Sequence, residues 1–404
     1  MRHHNHRERP LLITNARVVL PNRVVEGLDV KLKDGKIVDL VPPGSEPDEA
    51  SAVVRLGDAT LYPGFIDAHI HGAVGVDTND TDIDGLHQVG SYLAKNGVTA
   101  WLPTLVPDSE ENYRKSIATI DQVMWQQSAN KEQAGNLPSQ VLGIHYEGPF
   151  VSDRQCGALR SQFFKTYTAG DELKWLPRLQ ESGAIHLTTV APEVEGGLEL
   201  VRELVRQGWI VSIGHTRASV DVLDQAFAAG ARHMTHFMNA MAPLHHRAPG
   251  PVAWGLMRDD VTFDVIADGA HIDPFVLQLL LKLKDVAGIS LISDAIAAAG
   301  LGDGDFKIWG ETITVKNGRT CNARGSIAGS VIAMLDAVRL MLSLGVSEVD
   351  VARMAALNPA RLLRRDRDYG SIEEGKRADL VALDQSGQVR LTIIGGRVAF
   401  NAKD

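Results

Sequence analysis

The chain has 404 residues, 44% of them apolar and 23% charged. That composition belongs to a globular protein long enough to bury a large core, and it excludes a disordered or collagen-like chain. Forty-one basic against 50 acidic side chains leave a formal charge of −9, which argues against a general binder of nucleic acid or anionic membrane but leaves room for a local anion site.

Residues 1–10 carry His3, His4 and His6 among Arg and Asn and read as a disordered N-terminal segment. No apolar run follows Arg2, Arg7 and Arg9, so no secretory signal is expected. With only Cys156 and Cys321 in the whole chain, and no uncharged apolar run of about 18 residues, the expected location is cytoplasmic. Leu11–Leu20, Leu28–Lys33 and Ile37–Val41 read as strands, with Asp34-Gly35 as a hairpin turn. They form the first part, residues 11–60, of a small β domain.

Short apolar runs then recur at Phe65–Ile70, Val98–Leu102, Val141–Ile144, Ile185–Val190, Trp209–Ile213, His233–Phe237, Thr262–Ile266 and Ile289–Ser293. Amphipathic stretches separate or follow them: Ile83–Lys95, Ser109–Gln127, Asp171–Glu181, Leu198–Arg206, Val220–Ala228, Pro274–Leu283 and Val331–Leu344. Strand–helix repeats over about 250 residues predict a (β/α)8 TIM-like barrel spanning 61–355. A doubly wound open sheet has the same periodicity. Asp379–Asp384, Val389–Ile394 and Val398–Phe400 read as strands again. Residues 356–404 therefore return the chain to the small β domain, a β-sandwich built from both termini.

The apolar runs end in metal-ligand types. The first reaches His69 and His71, the third Glu147, the fifth His215, the sixth His236 and the eighth Asp294. In a barrel these ends share one rim, where active sites sit. Alternate residues of a strand face one side, so His69 and His71 can grip one ion together. Taken singly, each residue also fits a core hydrogen bond, a helix cap or an ion pair; the joint pattern favours a metal site. His87, His145, His186 and His233 read as structural.

These residues carry a family resemblance. Pro63-Gly64-Phe65-Ile66-Asp67-Ala68-His69-Ile70-His71-Gly72 resembles the opening motif of the amidohydrolase superfamily. Glu147-Gly148-Pro149-Phe150, Ser212-Ile213-Gly214-His215-Thr216 and Thr235-His236-Phe237-Met238-Asn239-Ala240-Met241 resemble its amino sugar 6-phosphate deacetylase branch. So do Ala267-Asp268-Gly269-Ala270-His271 and Ser293-Asp294-Ala295-Ile296-Ala297-Ala298-Ala299-Gly300. The resemblance runs from about Leu11 to Ala399.

It implies a metal-dependent hydrolase that removes acetate from an N-acetyl amino sugar 6-phosphate, foremost N-acetylglucosamine 6-phosphate. The implied cofactor is a divalent metal ion, zinc or iron, one or two per subunit. Glu147, His215 and His236 would hold the main ion, and His69 and His71 a second. Such an ion brings the pKa of its water to roughly 7, and Asp294 would carry the proton. Asn239, Ala240, Met241, Arg247 and His271 would bind the phosphate, with Arg247 reaching a neighbouring subunit in a homodimer. Ile327-Ala328-Gly329-Ser330 would let substrate approach closely, and Asn358-Pro359-Ala360 would be structural.

One departure concerns specificity. After Glu-Gly-Pro-Phe the family usually reads Lys-Gly-Ala-His, whose His touches the sugar; here the segment is Cys156-Gly157-Ala158-Leu159-Arg160. The alternative is thus a deacetylase of another N-acyl amino sugar, galactosamine-type or non-phosphorylated. Cyclic-amide hydrolases of the superfamily often use a modified Lys where Glu147 stands. Relatives without catalysis shed the ligands retained here.

Overall fold

The computed structural model describes residues 10–44, 51–129, 137–168, 173 and 175–402. The N-terminal segment lies outside the described residues apart from Pro10. Eight parallel strands form the central ring: Phe65–Ile70, Val98–Leu105, Gly143–Glu147, Ile185–Val190, Ile210–Ile213, His233–Met234, Thr262–Ile266 and Ile289–Ile292. The two-residue strand Gln140–Val141 adds to the second of them. The first and eighth strands meet without a regular ladder. Asp294 N donates to His69 O at 2.9 Å, and Ser293 Oγ donates to Asp67 Oδ2 at 2.5 Å. The ring is therefore a barrel, and the open doubly wound alternative is set aside.

Local chemistry explains the surrounding helices. Ile83–Lys95 begins at Asp82, whose carboxylate accepts from Gly85 N, and it buries Leu86, Val89, Leu93 and Ala94 along one face. Pro274–Leu283 starts with Pro at its first position and Asp273 as the cap. The expected helix at Asp171–Glu181 does not form in its described part, residues 173 and 175–181. Pro177 lacks the helical donor, and neighbours take up the backbone groups instead. Leu179 N donates to His186 Nε2 at 3.0 Å, Gln180 N donates to Asp121 at 2.8 Å, and Tyr146 donates to Pro177 O at 2.7 Å. Two of the elements that were not anticipated flank the site. One is the helix Gly250–Met257 after the sixth strand. The other is a three-stranded antiparallel sheet, Gly304–Ile308, Glu311–Lys316 and Arg319–Asn322, inserted after the eighth.

Both chain ends share one hydrogen-bonded sheet of eight strands, in which Leu380–Leu383 pairs with Thr60–Pro63. The expected boundary at residue 60 thus falls inside a strand of this sheet, and the chain enters the barrel at Gly64. Arg17 clasps Glu348 with two bonds of 2.5 and 2.6 Å, and Tyr62 adds a third at 2.9 Å, joining this sheet to the barrel's outer helices. Among the described residues no helix is long and apolar enough to cross a membrane.

The barrel interior is polar near its mouth and apolar around its outside. His145 Nε2, Thr189 Oγ1, Thr235 Oγ1 and Ser212 Oγ form a buried hydrogen-bonded chain with steps of 2.8, 2.8 and 2.6 Å. Outside the ring, Trp101, Trp209, Tyr113 and Phe263 are fully buried against the helices. Gly143 at the start of the third strand is held by close approach: a Cβ there would lie 2.1 Å from Ile185 O. Gly143→Ala is expected to destabilise the fold by roughly 3 kcal/mol, read as a lowered denaturant midpoint with an unchanged slope.

Candidate metal centre

The strand ends deliver their side chains to one small volume. His69 and His71 come from the first strand end, Glu147 from the third, His215 and His236 from the turns after the fifth and sixth, and Asp294 from beyond the eighth. Each is less than 10% exposed. His69, His71 and Glu147 form one compact trio of ligand atoms, and Glu147, His215 and His236 another. Glu147 Oε1 lies 2.8 Å from His215 Nε2 and 2.9 Å from His236 Nε2, and Oε2 lies 3.1 Å from His71 Nε2. Asp294 Oδ1 sits 3.2 Å from His71 Nε2 and 3.3 Å from His69 Nε2. Three of these residues have left-handed backbones: His215 at φ 47°, His236 at 31° and Asp294 at 50°. Such conformations are costly for bulky residues and cluster at functional sites.

The hydrogen bonds on the far side of each ring decide what this set can hold. His215 Nδ1 faces Gln155 O at 2.7 Å, His236 Nδ1 faces Asn239 O at 3.2 Å, and His71 Nδ1 faces Thr104 O at 3.1 Å. A carbonyl only accepts, so each Nδ1 carries the proton and each Nε2 turns a lone pair toward carboxylate oxygen. Lone pairs converging on a carboxylate need a cation between them. His69 Nδ1 is buried and has no hydrogen-bond partner among the described residues. The residues therefore fit a divalent metal ion of the kind bound by imidazole and carboxylate.

Without an ion the cluster holds protons instead. Burial alone would push the Glu147 carboxyl up, but its bonds to His215, His236 and His71 hold it well below the usual carboxylate range. Burial would likewise lower His71; bonds to Asp294 and Glu147 override this and raise it to about 10. Glu147 raises His236 to about 9 in the same way, against its burial. Burial and the neighbouring His145 hold His69 well below its ordinary value.

The remaining candidates occupy the surroundings. Asn239–Met241 is stitched to the turn after the fifth strand, where Thr216 N donates to Ala240 O at 3.2 Å. The N–H groups of Ala240 and Met241 donate to no acceptor among the described residues. His271 is fixed by Asp268, Nδ1 to Oδ2 at 2.7 Å. Arg247 lies exposed against His246 at 2.6 Å and makes no hydrogen bond to the cluster within this chain, among the described residues. Leu159 is buried, and Arg160 turns away to Asp108 at 2.6 Å. Gly329 lies beside Asp294, where a Cβ would stand 2.8 Å from the Asp294 carbonyl oxygen.

Supporting residues escaped the sequence reading. Asp264, on the seventh strand, accepts from His236 N and lies 3.0 Å from His233 Nε2. Asp67 accepts from Ser293, and burial raises it to about 7 against those bonds. Both interrupt apolar runs, a charge on a buried strand being the available signal. His145 stacks edge-on to His69 with centroids 4.6 Å apart. Of the histidines read as structural, His186 accepts from Leu179 N and His233 is held between Thr262 and Asp264.

A parallel barrel with a His-x-His first strand, a carboxylate on the third, histidines after the fifth and sixth and an aspartate after the eighth defines a metal-dependent hydrolase barrel. The chain belongs to the amidohydrolase family, whose model matches residues 60–399. It is 34% identical to N-acetylglucosamine-6-phosphate deacetylase of Bacillus subtilis (strain 168) over 98% of each chain. It is 36% identical to N-acetylgalactosamine-6-phosphate deacetylase of Escherichia coli O157:H7, over 90% of this chain and 94% of that one. The crystal structure of N-acetylglucosamine-6-phosphate deacetylase from Thermotoga maritima superposes with a TM-score of 0.85 at 32% identity, covering 97% of this chain and 100% of that one.

Two outcomes test the centre. Glu147→Gln should cut transition-metal affinity by about 100-fold or more, seen as lost metal in elemental analysis after dialysis. Protonated His71 and His236 compete with a cation, and their raised pKa values keep the protons on up to about 10 and about 9 respectively. Metal uptake by metal-free protein should therefore release protons, and affinity should climb as pH rises through 7 toward 9. Titration calorimetry in buffers of different ionisation enthalpy measures both.

Proposed function

We propose that this chain hydrolyses the acetamide of an N-acetyl amino sugar 6-phosphate, foremost N-acetylglucosamine 6-phosphate, giving glucosamine 6-phosphate and acetate. The observation that carries the proposal is Glu147 joining the His69–His71 and His215–His236 pairs with Asp294 at their edge. The activities of the two bacterial relatives support the substrate class.

Glu147, His215 and His236 would hold the ion, zinc or iron, and His69 and His71 a second one where two are bound. When bound, the ion supplies a Lewis acid that polarises the amide carbonyl and eases ionisation of water. Asp294 takes the proton from the attacking water as its oxygen bonds to the carbonyl carbon. It then returns that proton to the nitrogen as the C–N bond breaks. Its backbone is pinned for this work: its N–H donates to His69 O, and its carbonyl accepts from Ser330 N at 2.7 Å. The turn Asn239–Met241 offers backbone N–H groups to the phosphate, and His271 would add a further contact. Arg247 supplies a forked donor to that phosphate from a neighbouring subunit, which its exposed placement permits. The working form is then a homodimer, acting in the cytoplasm.

A second reading takes an N-acetylgalactosamine derivative as substrate. Leu159, a buried apolar side chain where the family usually carries a histidine, favours it, because sugar recognition there differs from the usual family pattern. Acetate release should be measured across N-acetyl glucosamine, galactosamine and mannosamine, each with and without the 6-phosphate. The highest kcat/KM is expected for N-acetylglucosamine 6-phosphate; release from none of the six overturns the proposal. Asp294→Asn should keep its metal and lose about 1,000-fold in kcat. Arg247→Ala should raise KM for the phosphorylated sugar while leaving the unphosphorylated one unchanged.

A further inference from the structure

The inserted sheet places a side chain on the metal centre that the reaction described above does not use. Gly304–Ile308 and Glu311–Lys316 pair antiparallel, with Trp309-Gly310 as their two-residue turn. Trp309 has φ 54° and Gly310 φ 80°, the geometry of a type I′ turn, in which Asn and Gly are favoured. A tryptophan there is strained. Its indole stands edge-on to the His71 ring, with centroids 5.2 Å apart and planes at 82°. It also packs on the apolar cluster of Val106, Val151, Leu159 and Ala191. In that setting the indole Nε1 is buried and has no hydrogen-bond partner among the described residues. A buried donor without an acceptor is unfavourable, and phenylalanine would fill the same wall without stranding one.

A bound amino sugar leaves few groups for this donor. The amide carbonyl belongs to the metal centre, and the phosphate to the turn Asn239–Met241 on the His215–His236 side of Glu147. Trp309 lies against His71, and the polar groups of an amino sugar 6-phosphate that neither the metal centre nor the phosphate turn would take are chiefly its ring hydroxyls. Leu159, on the same wall, offers them nothing. We propose that Trp309 is a specificity-determining residue whose Nε1–H donates to a sugar hydroxyl oxygen while its ring shields the His69–His71 pair. The inference rests on the amino sugar reading above and names a further contact within it.

The test compares wild type with Trp309→Phe, which keeps the ring and removes the donor. Substrates are N-acetylglucosamine 6-phosphate and its 3-deoxy and 4-deoxy analogues. Trp309→Phe should keep metal content and thermal midpoint and lose about 5- to 20-fold in kcat/KM on the parent sugar. One deoxy analogue should cost the wild type a similar factor, and Trp309→Phe should not distinguish that analogue from the parent. Unchanged kcat/KM in Trp309→Phe overturns the inference, as does an equal penalty for every deoxy sugar in both proteins. Loss of metal in Trp309→Phe overturns it too, since that marks a structural role. A wild type that releases no acetate from the parent sugar defeats the underlying reading, and this contact with it, which separates the two failures.

Discussion

A buried carboxylate ringed by imidazoles is the constraint on which this site depends. Glu147 is 4% exposed at the end of the third strand, and a lone charge so placed would be prohibitively unfavourable. It is kept ionised because His71, His215 and His236 arrive from three other strands. Those arrivals impose their own conditions. The backbone must turn left-handed at His215 and His236, and each ring must lean on a carbonyl behind it. The barrel supplies the rigidity that holds such conformations in place. Removing Glu147 would leave Nε2 of His215 and of His236 without a carboxylate partner among the described residues, while His71 would keep Asp294.

The rest of the molecule reads as support for that ring of ligands. Beneath it, His145, Thr189, Thr235 and Ser212 satisfy one another, so the barrel centre stays polar without unpaired groups among those four. The strand bearing His69 and His71 is anchored twice. Its entry runs straight out of the terminal sheet, with Gly64 N donating to Asp379 O at 2.8 Å, and its far end ties to Asp294. The parts that would meet a substrate lie outside this frame. They are the turn after the sixth strand and the hairpin carrying Trp309, both on segments between regular barrel elements. In barrels generally the strands form the rigid frame, and the segments that follow them are free to vary.

Much of this was legible in the chain. Helices such as Ile83–Lys95 and Pro274–Leu283 have the predicted bounds because cap, periodicity and terminator agree locally. The convergence of His69, His71, Glu147, His215, His236 and Asp294 was legible because barrel strands are parallel, so their ends share a rim. Asp171–Glu181 misled because its apolar spacing is helical while Pro177 and the side chains of Asp121 and His186 claim its backbone. The three-stranded sheet at 304–322 was missed because its strands are only 5, 6 and 4 residues long and carry few large apolar side chains, too little to stand out beside the barrel strands. Asp264 and Asp67 were passed over because a lone acid in a strand says nothing of its partner until the neighbouring strand is in place.

The sequence by itself determined the alternation of strand and helix, the ligand types at the strand ends and the spacing that puts His69 and His71 on one face. These follow from local propensity and the two-residue period of a strand. Only the tertiary structure decided which ring nitrogens face Glu147, that Arg160 is taken up by Asp108, and that Trp309 touches His71. Those contacts join residues from 52 to 238 positions apart. No local rule specifies them; they are set by barrel closure and by how the intervening loops pack.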